Sequence, residues 1–116
     1  MSLIQIGREK LDADTLVLSV KGDLDAFSVA EFRQATAQDT HISKLIIELG
    51  STFIDSAGLH ALVGAVRRVR EEKGDAAVVC TNRVSEMLTI AGFDRVVMLS
   101  SSVEEARTAL ACSHVP

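Results

Sequence analysis

Hydrophobic positions along this chain switch between two spacings, and each switch marks the border of a predicted element. Leu16-Val17-Leu18-Ser19-Val20 alternates well enough for a strand, with Leu16, Leu18 and Val20 on one face. Leu3 to Ile6 is expected to pair with it across the polar stretch from Arg8 to Asp14. A turn at Gly22-Asp23-Leu24-Asp25 leads to a helix near Ser28. There Ser28 and Glu31 have capping-box spacing, and Val29, Phe32 and Thr36 fall on one side. Lys44-Leu45-Ile46-Ile47-Glu48-Leu49 is an apolar, β-branched run, the pattern of a strand covered on both faces.

The longest helix is predicted from Ser56 to Lys73. Leu59, Leu62, Val63, Val66 and Val69 keep helical spacing, and Gly74 is placed to stop it. Ala76 to Cys80 reads as a second buried strand. Thr81 or Asn82 can cap a third helix that aligns Val84, Met87, Leu88 and Ala91 and ends at Gly92. Arg95 to Leu99 is the last predicted strand. A final helix opens at Ser102, which repeats the capping-box spacing with Glu105, and packs through Ala106, Ala109 and Leu110. From Leu45 onward the order is β-α-β-α-β-α, which implies parallel strands joined by right-handed crossovers. The expected fold is a single α/β domain over residues 1–116. It has a mostly parallel mixed sheet of four to five strands, covered by about four helices.

Composition narrows the function classes. The chain has 116 residues, 47% hydrophobic and 24% charged, with one proline, which suits a folded globule rather than a disordered segment. Four Phe and no Trp or Tyr leave little with which to stack bases. A formal charge of −4 offers no basic field for a phosphate backbone, so no direct nucleic-acid partner is expected. The cationic cluster Arg67, Arg68 and Arg70 runs straight into Glu71 and Glu72 and reads as a solvated helix face. No apolar run approaches the roughly 20 residues of a membrane span, and no signal-peptide pattern opens the chain. A cytoplasmic monomer without membrane insertion is expected. Cys80 and Cys112 match neither a metal nor a redox spacing, so no metal and no cofactor are expected.

Catalysis has little support. His41, His60 and His114 are scattered. Asp55, Ser56 and His60 crowd one helical turn, where base and orienting carboxylate cannot line up behind the serine. The acidic pair Asp23 and Asp25 suits turn and cap chemistry. The unusual segment is Phe53-Ile54-Asp55-Ser56-Ala57-Gly58-Leu59. Asp55 or Ser56 can serve as N-cap, but Ala57 and Gly58 are smaller than a cap requires. A glycine in the first turn costs about 1 kcal/mol against alanine, which makes sense where something must approach the backbone closely. A hydroxyl at this place also suits a phosphate, because the helix N-terminus presents unpaired N–H groups and positive dipole. Asp55 beside it would make the modified surface more acidic still, which suits a local switch with little change of fold.

At these residues the chain resembles the STAS family, the domain of sulfate transporters and anti-sigma factor antagonists. The resemblance covers nearly the whole length. It rests on Gly22-Asp23-Leu24-Asp25, Leu45-Ile46-Ile47-Glu48-Leu49, Phe53 to Leu59, and Val84-Ser85-Glu86-Met87-Leu88 leading to Ala91-Gly92-Phe93. It implies a non-enzymatic anti-sigma factor antagonist whose Ser56 is phosphorylated. The unphosphorylated form would bind an anti-sigma factor that is also a serine kinase of the histidine-kinase-like ATPase fold, freeing a sigma factor. A PP2C-type phosphatase would reset it. The implied partner surface is Asp23, Asp55, Ser56, Ala57, Gly58 and Asn82. Two other roles come with the family: a soluble subunit docking to a membrane lipid-transport complex, and a module binding a small ligand. The chain departs from the common family pattern in having Ala57 for a second serine, His60 for a glycine and Phe93 for a leucine.

Overall fold

Side chains on strands alternate between faces, and the burial of the central strands follows that rule from both sides. In a computed structural model, which describes residues 4–38, 42–50 and 53–112, β1 (Gln5–Lys10), β2 (Thr15–Lys21), β3 (Lys44–Gly50), β4 (Asp75–Val79) and β5 (Met98–Ser100) form one sheet in the order β1-β2-β3-β4-β5. β1 runs antiparallel to β2, and β2 to β5 are parallel. The helices are α1 (Val29–Ala37), α2 (Ser56–Glu71), α3 (Asn82–Ile90) and α4 (Val103–Cys112). The strand order advances by one each time, so crossovers of one hand must place α1, α2 and α3 on one face. That face holds the larger core, where Leu18, Val20, Ile47 and Val78 meet Phe32, Leu62, Val66 and Leu88. α4 covers the other face, setting Ala106 and Leu110 on Val17, Ile46, Ala77 and Val79. The central strands are thus buried on both sides, as their unbroken apolar runs predict.

The fold class is as expected, and several boundaries are not. The antiparallel pairing extends into the stretch read as polar: Arg8, Glu9 and Lys10 belong to β1 and stand opposite Leu18, Val17 and Leu16. β1 is an edge strand, exposed except for half-buried Ile6, so charged side chains cost it little. The turn into β2 is shaped by Asp12. Its Oδ1 accepts the N–H groups of Asp14 and Thr15, each at 2.9 Å. The Asp14 N–H in particular holds the Asp12 carboxyl below its ordinary pKa.

α2 ends at Glu71, and the left-handed residue that closes it is Lys73 (φ 68°), not Gly74. Gly74 is required for a different reason: a β-carbon there would stand 2.5 Å from the Ser43 carbonyl oxygen and 2.8 Å from Val69 Cγ1. The last strand is shorter and later than the predicted Arg95 to Leu99. Gly92 adopts φ 82°, buried Phe93 anchors a 3₁₀ turn over Phe93–Arg95, and pairing begins only at Met98. The final helix is capped as predicted, with Ser102 Oγ accepting the Glu105 N–H at 3.0 Å.

Candidate functional site at the start of the second helix

The loops that leave β2 and β3 emerge from the same sheet edge, because the two strands are parallel and in register. They are fastened to one another. Leu24 and Ile54 form an isolated parallel bridge, the Leu24 N–H donates to the Phe53 carbonyl at 3.1 Å, and the Asp55 N–H donates to the Leu24 carbonyl at 3.3 Å. Leu24 is fully buried and Ile54 nearly so, so this clasp sits on the core.

Asp55 is the N-cap of α2. Its Oδ1 accepts the Gly58 N–H at 2.9 Å, and its Oδ2 reaches across to accept the Ala26 N–H at 3.1 Å. One carboxylate thereby starts the helix and pins the neighbouring loop. Ser56 follows as the first helical residue and is exposed. Its N–H and that of Ala57 have no acceptor among the described residues, the usual state of a first helical turn. An exposed hydroxyl therefore stands beside two open N–H groups and the positive end of a helix of 16 residues. Ala57 is half-buried.

Gly58 is buried. A β-carbon at position 58 would collide with the Leu24 carbonyl oxygen and lie 2.9 Å from its carbon and 3.1 Å from Ile54 Cγ2. The close approach suggested by the sequence is thus made by the chain's own β2–α1 loop.

Ser28 does not form the predicted capping box: α1 has no side-chain cap bond from it. It is fully buried, and its hydroxyl donates to the Asp23 carbonyl at 2.8 Å while accepting the Asp25 N–H at 3.1 Å. A side chain turned inward to brace this loop cannot also cap the helix. The N-terminal bonds are instead supplied by Asp25, whose Oδ1 accepts the N–H groups of Phe27 and Ser28 at 3.0 and 3.2 Å. Asp25 thus performs the turn chemistry expected of the acidic pair, and Asp23 is exposed one step earlier in the same loop.

Asn82, the remaining predicted surface residue, is exposed at the start of α3 on the same strand-end edge. The cap there is Thr81, whose Oγ1 accepts the Val84 N–H at 3.4 Å. His60 is exposed on α2, and among the described residues no hydrogen bond joins it to Ser56. His41 and His114 lie outside the described residues. Among the described residues no cluster of His, Cys, Asp and Glu could hold a metal ion, and no helix is long and apolar enough to cross a membrane. Cys80 is buried, and burial pushes its thiol pKa up.

Two residues belong to this surface that the sequence pattern does not single out for it. Phe27 is 82% exposed and Phe53 is 50% exposed. They sit on the two clasped loops, one beside Ala26 and the other two residues before Asp55. Water-facing phenylalanines in a chain with only four are a signal, but the sequence cannot tell an exposed phenylalanine from a core one.

The sequence profile of the STAS domain matches residues 8–106. Among solved structures, the fold is similar to an anti-sigma factor antagonist from Mycobacterium paratuberculosis. The two are 24% identical over 93% of this chain and 94% of that one, with a TM-score of 0.83. It is also similar to the phosphorylated form of the Bacillus cell fate determinant SpoIIAA, at 20% identity over 90% of this chain and 98% of that one, with a TM-score of 0.66. A third match is SLC26A9, at 15% identity and a TM-score of 0.72. It covers 86% of this chain and 20% of that one. At these identities the likeness establishes the fold. A search of curated proteins found no match.

Proposed function

Because the chain belongs to the STAS domain family, we propose that it is an anti-sigma factor antagonist switched by phosphorylation of Ser56. The observation that carries this reading is the setting of Ser56: exposed, first in α2, beside two unpaired N–H groups, with exposed Phe27 and Phe53 on the two loops clasped at its helix start. Unphosphorylated, this surface offers an apolar contact around a small hydroxyl, suited to a protein partner. A phosphate on Ser56 adds a charge of about −2 that the open N–H groups can hold without refolding the domain. The added charge stands beside Asp55 and near Asp25, so a docked partner would face repulsion and an uncompensated desolvation cost.

On this reading the partner is an anti-sigma factor that is itself a serine kinase of the histidine-kinase-like ATPase fold, and a PP2C-type phosphatase restores binding. The protein then acts as a binding module rather than an enzyme, and its partner surface comprises Asp23, Asp55, Ser56, Ala57 and Asn82. Gly58 contributes from beneath, by letting the two loops close. The test is phosphorylation of the purified protein by its kinase and ATP, read by intact mass. Wild type gains one phosphate and Ser56→Ala gains none; phosphate on Ser56→Ala would place the switch elsewhere.

A second reading is a soluble subunit docking to a membrane lipid-transport complex; the likeness to SLC26A9, of which this fold makes up 20% of the chain, shows that the fold also occurs as one part of a larger protein. The two readings separate on Ser56→Asp, which blocks binding under the first and leaves membrane-complex docking intact under the second.

A further inference from the structure

The sheet face that carries α4 is only partly covered. Ala106 and Leu110 seal it over Val17, Ile46, Ala77 and Val79. Toward the strand ends the same face turns polar, with Ser19 and Lys21 on β2 and Glu48 and Gly50 on β3. A cleft of about 340 Å³ opens over these residues, with Thr81 and Ser101 on its far side. It lies at the carboxyl ends of the parallel strands β2, β3 and β4. Ser56 is not among the described residues that line the cleft.

Its chemistry is specific. Ser19 stands opposite Glu48 in the strand register, and its hydroxyl donates to Glu48 Oε1 at 3.0 Å. Lys21 stands opposite Gly50, which contributes no side chain to fill the space beside it. Among the described residues neither Glu48 nor Lys21 forms an ion pair. The sheet thus places the carboxylate of Glu48 and the exposed ammonium of Lys21 in the lining of one small cleft, with hydroxyls between and beyond them. A simple anion would be opposed by Glu48 and a simple cation by Lys21. Among the described residues no aromatic side chain lines the cleft to stack a nucleobase, and the volume is at the low end of small-molecule sites.

We propose that this cleft binds a small zwitterion of the free amino-acid class. Its ammonium group sits on Glu48 and its carboxylate on Lys21, with the Thr81 and Ser101 hydroxyls in reach of its remaining polar atoms. The binding gives the domain an input independent of Ser56.

The test uses the full chain with the twenty proteinogenic amino acids, each at ~10 mM, and with methylamine and acetate as single-charge controls. Thermal melting and backbone-amide NMR are read together. At least one amino acid raises Tm by ~5 °C or more and moves the amides of Ser19, Lys21, Glu48 and Gly50, while both controls leave them still. Glu48→Gln and Lys21→Gln each weaken that binding at least tenfold, and Gly50→Val, which keeps both charges but fills the cleft, abolishes it. The proposal is overturned if no amino acid shifts wild type, if methylamine or acetate binds equally well, or if the moved amides lie elsewhere. Retained binding in the folded variants overturns it too. Should a variant fail to fold, the wild-type amide map decides alone.

Discussion

The backbone of Gly58 is pressed against the carbonyl of Leu24, leaving no room for a β-carbon between the first turn of α2 and the loop that follows β2. The approach is backbone against backbone, so no rotamer change relieves it. Gly58→Ala is therefore expected to destabilise by about 1–3 kcal/mol, despite the better helix propensity of alanine. Gly64 is the control. It lies on the exposed side of the same helix, and a β-carbon there would have nothing within 4 Å. Gly64→Ala should stabilise by about 0.5–1 kcal/mol. Urea unfolding of the two variants checks both signs, and equal effects would remove the packing role assigned to Gly58.

Asp55 holds two backbone donors on two elements, Gly58 and Ala26. Asp55→Ala should cost about 1–2 kcal/mol, with faster amide exchange at both positions, and Asp55→Asn should recover only part of the loss, because its single amide oxygen can cap Gly58 while its NH2 group cannot accept from Ala26. If only Gly58 exchanges faster, the clasp to Ala26 is dispensable.

Phe27 is 82% exposed, so replacing it should leave folding stability within about 0.5 kcal/mol, whereas Phe53 is 50% exposed and its truncation should cost about 1 kcal/mol. If they frame the partner surface, Phe27→Ala and Phe53→Ala should each weaken kinase binding by about tenfold or more. Calorimetric titration measures this, and unchanged affinity in both variants would move the interface away from the clasped loops.

Burial raises the Cys80 thiol pKa, so less thiolate is present at neutral pH than in an exposed cysteine. In a Cys112→Ser background, Cys80 should react slowly with a disulfide reagent at pH 7 and faster as pH rises toward the shifted pKa. In denaturant it should react at the rate of a free thiol. Fast labelling of the folded protein at pH 7 would contradict the buried setting.

Much of this architecture is legible in the chain, because parallel strands covered on both sides must be written as apolar runs. Leu45–Leu49 and Ala76–Val79 leave no other reading, and Ser102 with Glu105 marks a helix start that the structure keeps. The misread places share one cause, a tertiary contact that local pattern does not encode. Ser28 has the spacing of a cap but is turned inward by the Asp23 carbonyl. Arg95 and Val96 follow the strand-like spacing of their neighbours, yet Gly92 and Phe93 fold them into a turn. At the candidate site, the Asp55-Ser56 motif is visible in sequence. The loop packed under Gly58 and the outward-facing Phe27 depend on residues some thirty positions away.

The proposed switch makes Ser56 a phosphorylation-sensitive contact and not only the residue after a helix cap. The direct measurement is a pull-down from native lysate with wild type, Ser56→Ala and Ser56→Asp as baits, identified by mass spectrometry. A histidine-kinase-like ATPase should be captured by wild type and Ser56→Ala and lost with Ser56→Asp. Capture of the same proteins by all three baits would contradict the account.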